Sequence, residues 1–152
     1  MIRNWLLCLV RVYGLQSRPH APAFQFYSFW ESIGLIMILT VCVGSLMPHM
    51  PELSVEVPDK PVHLLAYGSL TYWWGMLYPR TAPRWVFSGL FIVLGVTLEF
   101  AQRTTGYRTF DILDMVANAG GVLLGRLAVE TPLAGLLAAL DRLMVRLRAQ
   151  VG

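Results

Sequence analysis

The sequence predicts an all-α, polytopic membrane protein: a bundle of four transmembrane helices with an N-terminal interfacial segment and a C-terminal amphipathic helix. Three observations predict it. Of the 152 residues, 56% are apolar and 14% charged, whereas about a quarter of an ordinary soluble domain is charged. Four apolar runs approach the roughly 20 residues that a helix needs to cross the hydrocarbon core. The polar residues that interrupt those runs recur at helical spacing. Residues 1–152 carry no internal repeat or low-complexity tract and are read as one domain.

The first stretch, MIRNWLLCLVRVYGLQSRPH, has an early arginine and a short apolar run, but Trp5 to Val10 is shorter than a signal-peptide core and no small-residue cleavage site follows. Arg3 and Arg11 flanking Trp5, Leu6, Leu7 and Leu9 suit a segment lying in the headgroup layer. From Ser32 to Pro51 there is no charge, and the first span is predicted over about 30–48. The second, 61–78, is interrupted only by His63. The third, 83–103, must carry Glu99 and Gln102 in its last turns to be long enough. The fourth, 111–129, must carry Asp111, Asp114 and Asn118 in its first turns. Beyond Glu130, Thr131 is a good N-cap and Pro132 suits the first helical position. Leu133, Leu136, Leu137, Leu140, Leu143, Met144 and Leu147 then keep helical spacing, with arginines near the far end, so 132–148 reads as an amphipathic surface helix.

Nine of the twelve Lys and Arg residues fall on the side that holds both termini and the 79–84 loop. That asymmetry predicts both termini in the cytoplasm. The basic residues are scattered at segment ends and form no stripe, which argues against nucleic acid as a partner. Cys8 and Cys42 are poorly placed for a disulfide and read as apolar filler.

The polar residues concentrate at the outer end. Lys60, His63 and Tyr67 are spaced i, i+3, i+7 and so lie on one helical face. Asp111, Asp114 and Asn118 repeat the spacing on the fourth span, and Glu99 with Gln102 forms an i, i+3 pair on the third. Counting about 1.5 Å per residue, Asp59, Lys60, Gln102, Arg108 and Asp111 belong at the mouth. His63, Glu99 and Asp114 lie about one turn down, and Tyr67 and Asn118 about two. A charge exposed to lipid costs at least about 2.5–3.5 kcal/mol. The stripes should therefore face one another or water, around an outward-facing polar pocket. Ala117, Gly121 and Gly125 form a small-residue ridge for close helix packing. Gly106 marks a tight turn that makes spans three and four antiparallel neighbours.

The motifs DKPVHLLAYGSL, EFAQ and YRTFDILDMVANAGGVLLG resemble the VanZ-like family of small integral membrane proteins. Asp59, Lys60, His63, Tyr67, Leu70, Glu99, Gln102, Arg108, Asp111, Asp114, Asn118, Gly121 and Gly125 stand where that family's pattern has its counterparts. The resemblance covers about Pro58 to Gly125. It implies a multi-spanning protein of the bacterial inner membrane and an association with resistance to the glycopeptide teicoplanin, but supplies no reaction mechanism.

The bland reading of these residues is structural. Asp59 and Asp111 cap helices, Gln102 and Asn118 bond neighbouring helices, Tyr67 packs, and Lys60 snorkels. An ion-pair network of Arg108 with Asp111 or Asp114, and His63 with Glu99, would satisfy the rest. The leading functional reading is a binding protein for an anionic envelope lipid or lipid-linked cell-wall precursor, with Lys60 and Arg108 attracting its phosphate. The alternative is a membrane enzyme on the same class of molecule, with Glu99 and Asp114 as acid and base, assisted by His63. A structural or accessory subunit, working with a partner protein or as an oligomer, and a proton- or ion-coupled transporter complete the set. No cofactor is indicated. Asp59, Glu99, Asp111 and Asp114 have the oxygen chemistry for a divalent ion, but no metal-ligand motif is present and no metal is predicted.

Overall fold

The computed structural model describes residues 24–47, 59–106 and 111–151, all of them helical or in the turns between helices. The helices are α1 (Tyr27–Leu46), α2 (Asp59–Leu77), α3 (Thr81–Thr104), α4 (Ile112–Ala128) and α5 (Leu136–Val151), with a 3₁₀ turn over Pro132–Gly135 leading into α5. The interfacial segment predicted before residue 24 lies outside the described residues.

Hydrophobicity and length separate these helices by their place in the bundle. Helices α1 and α3 are long and apolar enough to cross a membrane. Helix α1 is the outermost and buries only Trp30 and Gly34 of its 20 residues. Helix α2 misses that apolar criterion for a packing reason. It is the central helix, and it spends positions on His63, Tyr67 and Thr71, all of which are buried against its neighbours. Helix α4, at 17 residues, is short, as its abbreviated apolar middle implies. Its buried residues Asp114, Asn118, Gly121, Val122 and Gly125 follow one face at helical period.

The tightest contact is between α2 and α4, which start at the same end and run parallel. A Cβ on Gly121 would lie 2.3 Å from the Leu64 carbonyl oxygen, and one on Gly125 would lie 2.3 Å from that of Gly68. The small-residue ridge thus packs on the backbone of α2, with Gly68 as its counterpart. The antiparallel packing of α3 on α4 is also present and is closest where Gly95 meets Asn118. Gly106, at φ +76, provides the left-handed residue after α3.

The two ends of the bundle differ. Away from the acidic end, Trp74 stacks on Phe87 with centroids 4.8 Å apart, and Tyr27 and Tyr78 join their hydroxyls at 2.8 Å. Helix α5 turns away from α4, the bend between the two helical segments being 78°, and buries Leu137, Ala138 and Asp141 against this base. The Thr131 hydroxyl accepts from Leu133 N–H as an N-cap should, but the turn it caps is 3₁₀ and α5 proper begins only at Leu136. Tyr72 Oη holds that turn by donating to the Leu133 carbonyl at 2.6 Å.

Asp141, 4% exposed, is what binds α5 to α1. It accepts from the Gln25 and Phe26 amides at 2.9 and 3.1 Å and from Trp30 Nε1 at 2.8 Å. It therefore does from another helix what an N-cap residue does locally. Burial pushes the Asp141 carboxyl up, but the three hydrogen bonds outweigh that and hold its pKa below the ordinary carboxylate value.

Two predictions follow from this packing. Gly121→Ala should destabilise by about 1–3 kcal/mol, because backbone atoms cannot yield to the methyl group, whereas Gly89→Ala, with open space around its Cβ, should not. Thermal unfolding in detergent distinguishes them, and equal melting temperatures would contradict the close approach. The second concerns acid. A depressed folded pKa gives stability that is complete above the unfolded value of about 4 and lost as pH falls through the folded value. The wild type should lose melting temperature below about pH 4 through Asp141, and Asp141→Asn should start lower and show a shallower loss over the same pH series.

A candidate polar ligand site

The stripes predicted on three helices meet at one end of the bundle. On α2, His63 and Tyr67 are buried. On α3 so are Glu99 and Gln102, and on α4 Asp114 and Asn118. Lys60 and Asp111 form an exposed ion pair at the mouth, 3.1 Å apart. Asp59 occupies the exposed first turn of α2. Arg108 lies outside the described residues.

The pairing differs from the expected one. His63 meets Asn118 and Asp114 on α4 and is not paired with Glu99, and Asp111 takes Lys60 as its described ion-pair partner. The reason is the α2–α4 contact: with Gly68 against Gly121, the two polar stripes of those helices fall in register side by side. His63 Nδ1 donates to Asn118 Oδ1 at 3.0 Å, leaving Nε2 3.7 Å from Asp114 Oδ2. That second contact is longer than a hydrogen bond.

Glu99 combines a bland role with an unexplained one. Its Oε1 accepts the Asp111 backbone N–H at 2.7 Å, and Asp111 Oδ1 accepts that of Leu113 at 2.8 Å. Two carboxylates, one borrowed from α3, thus cap the start of α4. Gln102 Nε2 donates to the Ser45 carbonyl at 2.8 Å and ties α3 to the end of α1. Glu99 Oε2, Asp114 Oδ1 and Tyr67 Oη, in contrast, are buried without a hydrogen-bond partner among the described residues. An unmet buried polar group costs about 1–3 kcal/mol, so three in one cluster require an explanation.

The cluster is closed, Glu99 and Tyr67 being 1% exposed; it is a packed polar core beneath an ion pair, in place of the open pocket expected. Two surface grooves are apolar, one between α1 and α2 lined by Met37, Val41 and Leu70, the other between α1 and α3 by Ile38, Phe91 and Leu94. Among the described residues no group of three or more His, Cys, Asp and Glu is arranged to hold a metal ion.

Sequence reading missed a second polar cluster at the opposite end, where Arg84 and Arg126 both reach Glu130 Oε1. Its signal was available. Arg126 and Glu130 are spaced i, i+4, and Arg126 continues the buried side of α4 one turn beyond Val122. Asp141 was equally readable as a lone acid in a helix otherwise basic.

Comparison with known proteins corrects the family resemblance. No family model matches the chain, and no solved structure matches it. A protein of the fission yeast Schizosaccharomyces pombe, described as uncharacterized, is 29% identical over 109 residues, 70% of this chain and 67% of that protein. The VanZ-like assignment therefore falls, and with it the bacterial envelope and the link to glycopeptide resistance, since the similarity found is to a eukaryotic protein. The physical reason for the misreading is general. Any three helices that bury polar faces against one another produce polar residues at i, i+3 and i+7, so the spacing reports a buried polar seam before it reports ancestry.

Proposed function

We propose that the chain is an integral membrane protein that crosses the bilayer four times through α1–α4, with both termini in the cytoplasm and α5 along the inner surface. The support is an inversion of burial. Glu99, Gln102, Asp114 and Asn118 are inside while Ile36, Leu39, Leu65, Val93, Phe100, Val116, Leu123 and Leu127 are exposed around the bundle. In water this surface would be an aggregation hazard; in lipid it is the ordinary solution. The Lys and Arg asymmetry supplies the orientation. A reporter fused after Gly152 should behave as cytoplasmic, and one inserted in the 48–58 loop as external. The reverse pattern would overturn the orientation, and both on one side would overturn the span count.

The polar cluster, in this reading, takes up the headgroup of a membrane lipid or lipid-linked precursor. One observation carries it: the acceptors Glu99 Oε2 and Asp114 Oδ1, with the Tyr67 hydroxyl, are buried at the same end of the bundle without hydrogen-bond partners among the described residues. Such a site favours a headgroup that brings hydroxyl or ammonium donors, with its phosphate meeting Lys60 once the exposed pair with Asp111 opens. A purely anionic headgroup fits less well than the sequence alone suggests, because carboxylates outnumber the described cations. The His63–Asp114 contact favours a second reading, a hydrolase or transferase acting on the same molecule with Glu99 or Asp114 as acid or base.

Native mass spectrometry of the detergent-purified chain beside Glu99→Gln and Asp114→Asn tests both readings. A defined lipid-class mass on the wild type, reduced about tenfold on folded Asp114→Asn, supports binding. Accumulation of that mass on Glu99→Gln, with its conversion by the wild type, moves the reading to catalysis. A wild type that arrives empty, with variants that no longer fold, would reduce the cluster to a scaffold.

A further inference from the structure

The Arg84–Arg126–Glu130 cluster is a site in its own right. Arg84 sits in the first turn of α3 and Arg126 in the last turn of α4. Both guanidinium groups are about nine-tenths buried, and they converge on the same oxygen of Glu130, whose side chain is 52% exposed. Arg84 Nε is fixed by donating to the Gly75 and Tyr78 carbonyls, each at 3.1 Å. Arg126 stacks over the Trp85 ring at 4.8 Å, and its Nε is buried without a partner.

Two rigidly held guanidinium groups thus share a single, solvent-exposed carboxylate and retain one positive charge in excess. The start of α3 adds to that field. Its first turn holds no acid, and Arg84 lies in that turn, so the partial positive charge of a 24-residue helix adds to the guanidinium charge at this end. Trp85 is 60% exposed, an indole at the rim of the bundle where a membrane interface would place it.

We propose that Arg84, Arg126 and the amino terminus of α3 bind the phosphate of an anionic membrane lipid, with Trp85 against its glycerol and acyl region and Glu130 as the internal occupant that the phosphate displaces. Guanidinium pairs match phosphate in bidentate geometry better than they match one shared carboxylate oxygen. Glu130 is easily displaced because it is already half in water. The anion site stands on its own geometry, whereas the lipid as occupant and the depth of the site rest on the membrane reading above; on that reading this end lies in the cytoplasmic leaflet, whose anionic lipids supply the matching charge.

The test is equilibrium binding of fluorescent phosphatidylserine and phosphatidylcholine to the full-length chain in mixed micelles, read by anisotropy, with inorganic phosphate as competitor. Phosphatidylserine should bind in preference to phosphatidylcholine, and Arg126→Gln and Arg84→Gln should each weaken it by about tenfold. Glu130→Gln keeps both arginines and should tighten it by about threefold. That variant guards against loss of binding through misfolding. Equal binding of the two lipids, or a folded Glu130→Gln that binds no better than wild type, would overturn the proposal. Displacement of phosphatidylserine by millimolar inorganic phosphate would keep the anion site but overturn the lipid as its source. The outcome is independent of the acidic end, since none of these variants touches it.

Discussion

The fold depends on how closely α2 and α4 approach. Where Gly121 and Gly125 meet Leu64 and Gly68, backbone lies on backbone with no room for a methyl group, and in a membrane such packing is a main source of helix association. The contact fixes the register of two parallel helices over their whole length. Above it Lys60 reaches Asp111 and His63 reaches Asn118. Below it Gly75 lies against Val129, directly before Glu130. Side chains at the glycine positions would move the helices apart, and His63 would lose its partners before any apolar contact was seriously disturbed. The small residues thus set the geometry of both polar clusters without belonging to either.

The acidic cluster is poorly explained as a device for stability. Buried ion pairs return little once desolvation is counted, and here the satisfaction is incomplete, with acceptor oxygens on Glu99 and Asp114 left over. The other halves of the same side chains are well used: Glu99 Oε1 caps α4 and Asp114 Oδ2 faces His63. A carboxylate that serves structure through one oxygen and strands the other is the cost that the proposed site would carry while it holds its acceptors without a ligand.

Much of this was legible in the sequence because helices in an apolar solvent reveal their faces. The four apolar runs located α1–α4 to within a few residues, and depth counting correctly gathered His63, Glu99, Gln102, Asp114 and Asn118 at one end. Pairings were not legible, since depth follows from rise along the axis whereas partnership depends on the azimuth of each helix. The ridge of Ala117, Gly121 and Gly125 announced a close neighbour without naming it. The short turn at Gly106 favoured α3, while Gly68 and Gly75 in α2, seven residues apart, gave no comparable signal. As a lone acid in a basic helix Asp141 could be singled out, but its partners, backbone amides and an indole at the start of α1, could not be read from charge.

The layer between the two clusters bears on what the protein can do. From Tyr67 downward α2 continues with Leu70 and Trp74, which share a core cluster with Phe87, Phe91 and Val122, and with Thr71, which lies beside Gly125. The Thr71 hydroxyl is spent on the Tyr67 carbonyl of its own helix at 2.9 Å. Trp74 Nε1 is an indole N–H, which donates but does not accept. Thr71 and Ser88 are the buried hydroxyls in this interval among the described residues, and each donates to a carbonyl of its own helix. With aromatic rings filling the interval, the acidic end and the arginine end are separated from each other by apolar packing. That separation fits the proposal of two headgroup sites that act independently of each other.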